Sequence, residues 1–224
     1  MTHPIRLIIF DLDGTLLDTA GDILYCSNMA LQQMGIPPLS SEQILRAIGA
    51  PVDIYPRIIL GDHAQRMEEY RTIFRPIYLE NCLQQTRPFP GIVELLQRLR
   101  PMKLAVASNK KLYATEYMLE ELNLREYFDL TVGPESVKNS KPEPDMIYFA
   151  CEKFGISPKH TLMVGDTDND VLAANSAKAQ SCFVNWGYAH NKKEMQKIAT
   201  FAVDRADEIL SLVRRANFQS SLTV

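Results

Sequence analysis

Leu7-Ile8-Ile9-Phe10-Asp11-Leu12-Asp13-Gly14-Thr15 is an apolar run that stops on two carboxylates, a glycine and a hydroxyl. Four apolar residues without alternation predict a strand buried on both faces, as in a parallel sheet. Asp11 then falls at the C-terminal mouth of that strand, where open α/β sheets hold their ligands. Asp11 and Asp13 have the i, i+2 spacing of groups that converge on one ion or one reacting centre. Gly14 permits a tight turn directly after them.

Outward from this stretch, the periodicity turns helical. Ile23, Leu24, Ser27, Leu31 and Met34 recur at helical spacing up to Gly35, and Pro37-Pro38 ends the segment. Ser40 to Gln43 reads as a new N-cap leading into Ile44, Leu45 and Ile48. A further helix is expected over about 52–60. A longer one over about 63–83 carries Tyr70, Phe74 and Tyr78 on one face as cap core, with a kink or break at Pro76. Residues 19–85 thus read as a helical block without a strand. Pro88 to Gly91 reads as a hinge or loop.

From Ile92 the rhythm is helix, strand, helix, strand. Helices are expected over 92–99, 113–122, 145–154, 171–177 and 206–215, and strands over 104–107, 130–132, 161–164, 182–184 and 201–203. The tail from Gln219 to Val224 reads as frayed. Alternating strands and helices give a doubly wound, Rossmann-like parallel sheet, with the helical block inserted after the first strand as an α-helical cap. The expected division is a core of 1–18 and 86–224 and a cap of 19–85.

Composition narrows the function. The chain has 224 residues, 46% hydrophobic and 23% charged, the profile of a soluble globular protein. The net charge is −3 and there is no basic stripe, which argues against nucleic acid as a partner. No apolar run approaches membrane-spanning length. Cys26, Cys82, Cys151 and Cys182 are far apart and read as small core residues in a reducing, cytoplasmic setting. The four histidines show no metal-ligand spacing.

Three predicted strands end in polar residues: the first at Asp11, the 104–107 strand at Ser108, and the 161–164 strand at Gly165-Asp166. Parallel strands place these ends on one edge, and Lys141 lies in a loop beyond another strand there. Asp11, Asp13, Asp166 and Asp170 brought together repel one another unless a cation is present. An oxygen-rich site with few nitrogens and no thiols suits Mg²⁺. Mg²⁺ beside one lysine and a hydroxyl suits a phosphoryl group.

These residues, in this order, resemble the motifs of the haloacid dehalogenase-like superfamily of phosphohydrolases. Asp11-Leu12-Asp13-Gly14-Thr15 is similar to the first motif, Ser108-Asn109-Lys110 to the second, Lys141-Pro142 to the third, and Gly165-Asp166 with Asp170 to the fourth. The insert, Glu143-Pro144 and Trp186-Gly187-Tyr188 resemble the phosphoglycolate phosphatase-like branch. The resemblance implies that Asp11 is the nucleophile and Asp13 the general acid and base. It implies Mg²⁺ on Asp11, the Asp13 backbone carbonyl and Asp166, with Asp170 as a further ligand or a partner behind them. Ser108 and Lys141, with Thr15 and Asn109, would bind phosphate. The expected reaction is hydrolysis of a small phosphorylated metabolite through an aspartyl-phosphate. A β-phosphoglucomutase-like transfer and a non-catalytic phosphate sensor are the alternatives. Two positions depart from the branch: Lys178 stands where glycine is common, and Ala50-Pro51 stiffen a cap loop that is often glycine-rich.

Overall fold

The computed structural model describes residues 3–221. Strand β1 (Leu7–Phe10) is followed by a two-residue strand β2 (Leu17–Asp18). Four helices come next: α1 (Ala20–Gln33), α2 (Ser41–Leu45), α3 (Tyr55–Leu60) and α4 (Met67–Asn81). The chain returns through β3 (Arg87–Pro88) to α5 (Ile92–Leu99), β4 (Lys103–Ala107), α6 (Leu112–Glu121) and β5 (Leu130–Val132). Then follow α7 (Asp145–Phe154), β6 (Thr161–Gly165), α8 (Asp168–Ala177) and β7 (Gln180–Val184). Helix α9 (Lys192–Ile198), β8 (Phe201–Val203) and α10 (Ala206–Ser221) complete it.

Six strands form one parallel sheet in the order β5-β4-β1-β6-β7-β8. The chain builds outward from β1 to β4 and β5, then crosses to β6 on the other side. That reversal opens a crevice at the C-terminal ends of β4, β1 and β6. Every residue of β1 is fully buried, as an unalternating apolar run requires. Ile8 and Phe10 pack on one face with α5, α6 and α10, and Leu7 and Ile9 on the other with α7 and α8. The register sets Phe10 opposite both Val106 and Val164, so Asp11, Ala107 and Gly165 lie level at the crevice.

The helical cap follows its local signals. Ser40 and Gln43 form a reciprocal capping box, with Gln43 N donating to Ser40 Oγ at 3.3 Å and Ser40 N to Gln43 Oε1 at 2.9 Å. Such caps contribute about 1 kcal/mol. Pro76 does not break α4. Proline removes one ladder hydrogen bond there, but Tyr70, Phe74 and Tyr78 stack at 5.3 and 5.2 Å along a face packed on α1, and that burial carries the helix through.

Three further features differ from the sequence expectation. The Pro88 region is a strand, not only a loop: β2 and β3 pair antiparallel where the chain leaves and rejoins the sheet. A seven-residue helix, α9, lies between β7 and β8. Helix α10 runs to Ser221 rather than ending at Arg215, so the frayed tail does not begin at Gln219; residues 222–224 lie outside those described. No helix among the described residues is long and apolar enough to cross a membrane. All four cysteines are buried and free.

Lys178 ends α8 in the left-handed conformation, at φ 57° and ψ 31°, with its N–H on the Ala174 and Asn175 carbonyls. A β-carbon is strained there, and glycine is not. Lys178→Gly is expected to stabilise the protein by about 0.5–1 kcal/mol, raising Tm by roughly 1–4 °C. A melting curve with unchanged or lower Tm would contradict this.

Candidate active site

Asp11 leaves β1 with its N–H on the Val164 carbonyl at 2.9 Å, so the sheet itself fixes the base of its side chain. Asp11, Asp166 and Asp170 converge: one carboxylate oxygen from each lies within 4.8 Å of the others, and all three residues are buried. Lys141 reaches in from the loop after β5. Its Nζ donates to Asp11 Oδ1 at 2.9 Å and to Asp170 Oδ1 at 2.6 Å, with 2% of its side chain exposed.

Glycines make room for this crowding. A β-carbon on Gly14 would sit 2.3 Å from Asp166 Oδ2, and one on Gly165 would sit 2.1 Å from Asp170 Cγ. Gly14 also needs its φ of +83° to turn the chain after Asp13. Each acid is held from behind. Asp170 Oδ2 accepts from Thr167 N and Oγ1 at the start of α8, which leaves Oδ1 for Lys141. Asp166 accepts from Tyr188 N at 2.6 Å and from Thr15 Oγ1 at 3.2 Å.

Burial raises the Asp11 pKa to about 7, Lys141 working against the shift and Asp170 adding to it. Burial, then Asp11 and Asp170, raise that of Asp166 in the same direction. Burial alone would lower the Lys141 pKa, but its two acidic partners outweigh that and raise it. Three carboxylates against one ammonium leave two negative charges uncompensated when all are ionised. An all-oxygen cluster with that deficit fits a divalent cation.

The charge balance predicts how stability varies with pH. The Asp11 pKa is raised on folding, so the folded protein binds a proton that the unfolded chain has lost. That contribution is present below pH 3.8 and is lost as pH rises towards 7. Without metal, Tm is therefore expected to fall through this window. An added divalent cation should oppose the fall, so the Tm gap between cation and EDTA should widen from pH 5 to pH 8. A gap that does not change with pH would contradict the assignment.

Asp13 stands apart from this cluster. Its Oδ2 pairs with Lys110 Nζ at 2.9 Å, while its buried Oδ1 has no hydrogen-bond partner among the described residues. Ser108 accepts from the Lys110 N–H at 3.2 Å. Asn109 donates to the Lys141 carbonyl at 2.8 Å and the Gly49 carbonyl at 2.9 Å, tying the lysine loop to the cap. The Thr15 hydroxyl is turned onto Asp166, which makes it a support for that carboxylate in this structure rather than a free phosphate donor. Asp168 is exposed and accepts from the neighbouring Asn169 N–H.

A cavity of about 320 Å³ lies between sheet edge and cap. Asp11, Asp13, Ser108 and Lys110 form its floor, and Ile48, Val52, Tyr55, Phe74 and Tyr113 line its walls. The aromatic stripe of α4, expected as cap core, therefore also faces the site. Sequence reasoning placed Lys110 in the Ser108-Asn109-Lys110 motif but missed its pairing with Asp13. It also missed the backbone N–H of Tyr188, which no side-chain pattern reveals.

A family profile described as haloacid dehalogenase-like hydrolase matches residues 8–184. A phosphoglycolate phosphatase of Aquifex aeolicus is 36% identical over 210 residues, which cover 93% of this chain and 96% of that protein. An N-acetylmuramic acid 6-phosphate phosphatase of Pseudomonas aeruginosa is 30% identical over 95% of this chain and 96% of its own length. A solved structure described as a predicted phosphoglycolate phosphatase from Haemophilus somnus superposes with a TM-score of 0.87 at 28% identity, covering 93% of this chain and 97% of that one. The chain belongs to the haloacid dehalogenase-like hydrolases. Its activity is that of a phosphoric monoester hydrolase.

Proposed function

We propose that the protein hydrolyses a small phosphate monoester with Mg²⁺ through an aspartyl-phosphate on Asp11. The convergence of Asp11, Asp166, Asp170 and Lys141 beside a cavity between sheet edge and cap, with Asp13 at its floor, carries this reading. Mg²⁺, held by Asp11, Asp166 and the Asp13 backbone carbonyl, would offset charge on the phosphoryl oxygens. Asp170 would stand behind it, orienting Lys141.

The residues perform the rest. Asp11 attacks phosphorus, and the bond to the leaving oxygen breaks as Asp13 gives that oxygen its proton. Water then attacks the aspartyl-phosphate and gives a proton to Asp13; phosphate leaves and Asp11 is restored. Lys141 and Ser108 would hold the phosphoryl oxygens as charge builds on them. Asn109 would brace the Lys141 loop, and Thr15 would support Asp166. Residues 19–85 would act as a cap domain on a core of 1–18 and 86–224, excluding water from the intermediate until the alcohol has left. The buried free cysteines accord with a cytoplasmic setting.

A phosphomutase needs cations for a second phosphate, and of the cap arginines Arg71 and Arg75 line the cavity. Arg46 pairs with Glu42 and Arg66 with Glu69, both outside the cavity. Arg71 is neutralised by Asp53 and Glu68, whereas Arg75 lies over the Tyr113 ring with no carboxylate partner among the described residues, which keeps the phosphomutase as the second reading. The test is phosphate release from 2-phosphoglycolate, sugar phosphates, nucleoside monophosphates and pyrophosphate, each with Mg²⁺ and with EDTA. Mg²⁺-dependent release is expected. Isomerised sugar phosphate without free phosphate, or tight binding without turnover, would overturn the reading.

A further inference from the structure

Lys110 is the cation closest to the acid–base group, and the reaction as written gives it no task. Its ammonium lies 2.9 Å from Asp13 Oδ2 and 4.8 Å from the centre of the Tyr78 ring, which belongs to α4 of the cap. Only 11% of the Lys110 side chain and 7% of the Asp13 side chain are exposed, so water competes little for either. A charge-assisted contact so enclosed restricts the carboxylate strongly. Its backbone N–H is fixed on Ser108 Oγ at 3.2 Å, so the lysine stem starts from a defined place.

The consequence lies in the other carboxylate oxygen. With Oδ2 held by the ammonium, Oδ1 is buried, without a hydrogen-bond partner among the described residues, in a residue that lines the cavity floor. Burying such an oxygen unpaired is costly unless a ligand supplies the missing partner. We propose that Lys110 is a positioning residue: it clamps Asp13 Oδ2, with the Tyr78 ring backing the ammonium, so that Oδ1 faces the oxygen being protonated or deprotonated. This rests on the phosphatase reading of Asp13. In the first half-reaction Oδ1 passes its proton to the alcohol oxygen as the phosphorus–oxygen bond breaks. In the second it receives a proton from water as the Asp11–phosphorus bond breaks. Both halves depend on one aim, and the cap helix contributes to holding it.

Substitution should therefore separate the two half-reactions. p-Nitrophenolate departs without a proton, so a mis-aimed Asp13 leaves transfer from p-nitrophenyl phosphate to Asp11 fast and slows only hydrolysis of the intermediate. Lys110→Met, tested by rapid mixing with Mg²⁺, is expected to release about one equivalent of p-nitrophenolate per enzyme in a burst. A steady rate reduced roughly 10–100-fold should follow, within the range that acid–base groups contribute. On an alkyl phosphate, which needs a proton in both halves, kcat should fall at least as far with KM little changed. Lys110→Arg keeps the ion pair and should recover most of the rate, and Lys110→Gln serves as a second neutral variant if the methionine form does not fold. Loss without a burst, together with a raised KM on both esters, would overturn the proposal and make Lys110 a phosphate-binding group. An unchanged rate in both neutral variants would overturn it too. If the wild-type protein releases neither p-nitrophenolate nor phosphate, the phosphatase reading itself fails, a result distinct from either of these.

Discussion

Asp11→Asn is expected to abolish phosphate release, by a factor of at least about 10⁴, while leaving the protein folded. Removing a nucleophile costs more than removing any single binding contact, because no other group replaces the bond it forms. The amide occupies nearly the same volume and can still accept from Lys141, which now lies 2.9 Å from Asp11 Oδ1. It also removes a buried charge whose cost is visible in the raised Asp11 pKa. The Tm of the metal-free variant should therefore equal or exceed that of the wild type. Lost turnover with an undiminished Tm separates chemistry from folding. Residual activity above about one part in a hundred would place the nucleophile elsewhere.

Lys141→Met should damage both. The ammonium is 2% exposed and offsets two carboxylates at once. Without it Asp11 and Asp170 stay buried with no cation between them, and breaking such an arrangement costs about 3–5 kcal/mol. Turnover should fall by roughly 10²–10³, the range for losing one donor to a developing anion. The two losses should respond differently to Mg²⁺. A divalent cation can restore charge balance and hence Tm, but it cannot replace the hydrogen bonds to the phosphoryl group proposed for Nζ. Equal recovery of Tm and turnover at high Mg²⁺ would contradict the role given to Lys141.

The sheet was legible because its signals are local. An apolar run such as Leu7–Phe10 without alternation can only be buried on both faces, and parallel strands bring their ends together whatever lies between them. Asp11, Ser108 and Asp166 could thus be placed on one edge from sequence alone. The pairing of Lys110 with Asp13 could not, since it depends on how a lysine stem turns in a loop 97 positions further on. Nor could the support that Asp166 draws from the Tyr188 N–H, because a backbone amide has no residue signature. Strands β2 and β3 are two residues each, too short for any periodicity. The family resemblance implied a phosphate-binding Thr15, whereas its hydroxyl here turns back to Asp166. The break that Pro76 could have caused is absent, through packing that only the assembled cap supplies.

The two crossings between cap and sheet lie side by side. Leu17 pairs with Pro88 and Asp18 with Arg87. The buried Asp22 carboxylate accepts from Gln85 N, Thr86 N and Thr86 Oγ1, and the Tyr188 hydroxyl accepts from Thr19 N and Ala20 N. A segment whose two ends are stapled at one point adds a closed loop to a sheet that is otherwise complete. Its length and internal sequence can then drift, or be exchanged for another loop, at little cost in chain entropy to the strands that carry the acids. The inserted segment is in that sense an appendix to the sheet, and an exchanged insert would have to supply its own counterparts of Gly49 and Tyr78, which touch Asn109 and Lys110.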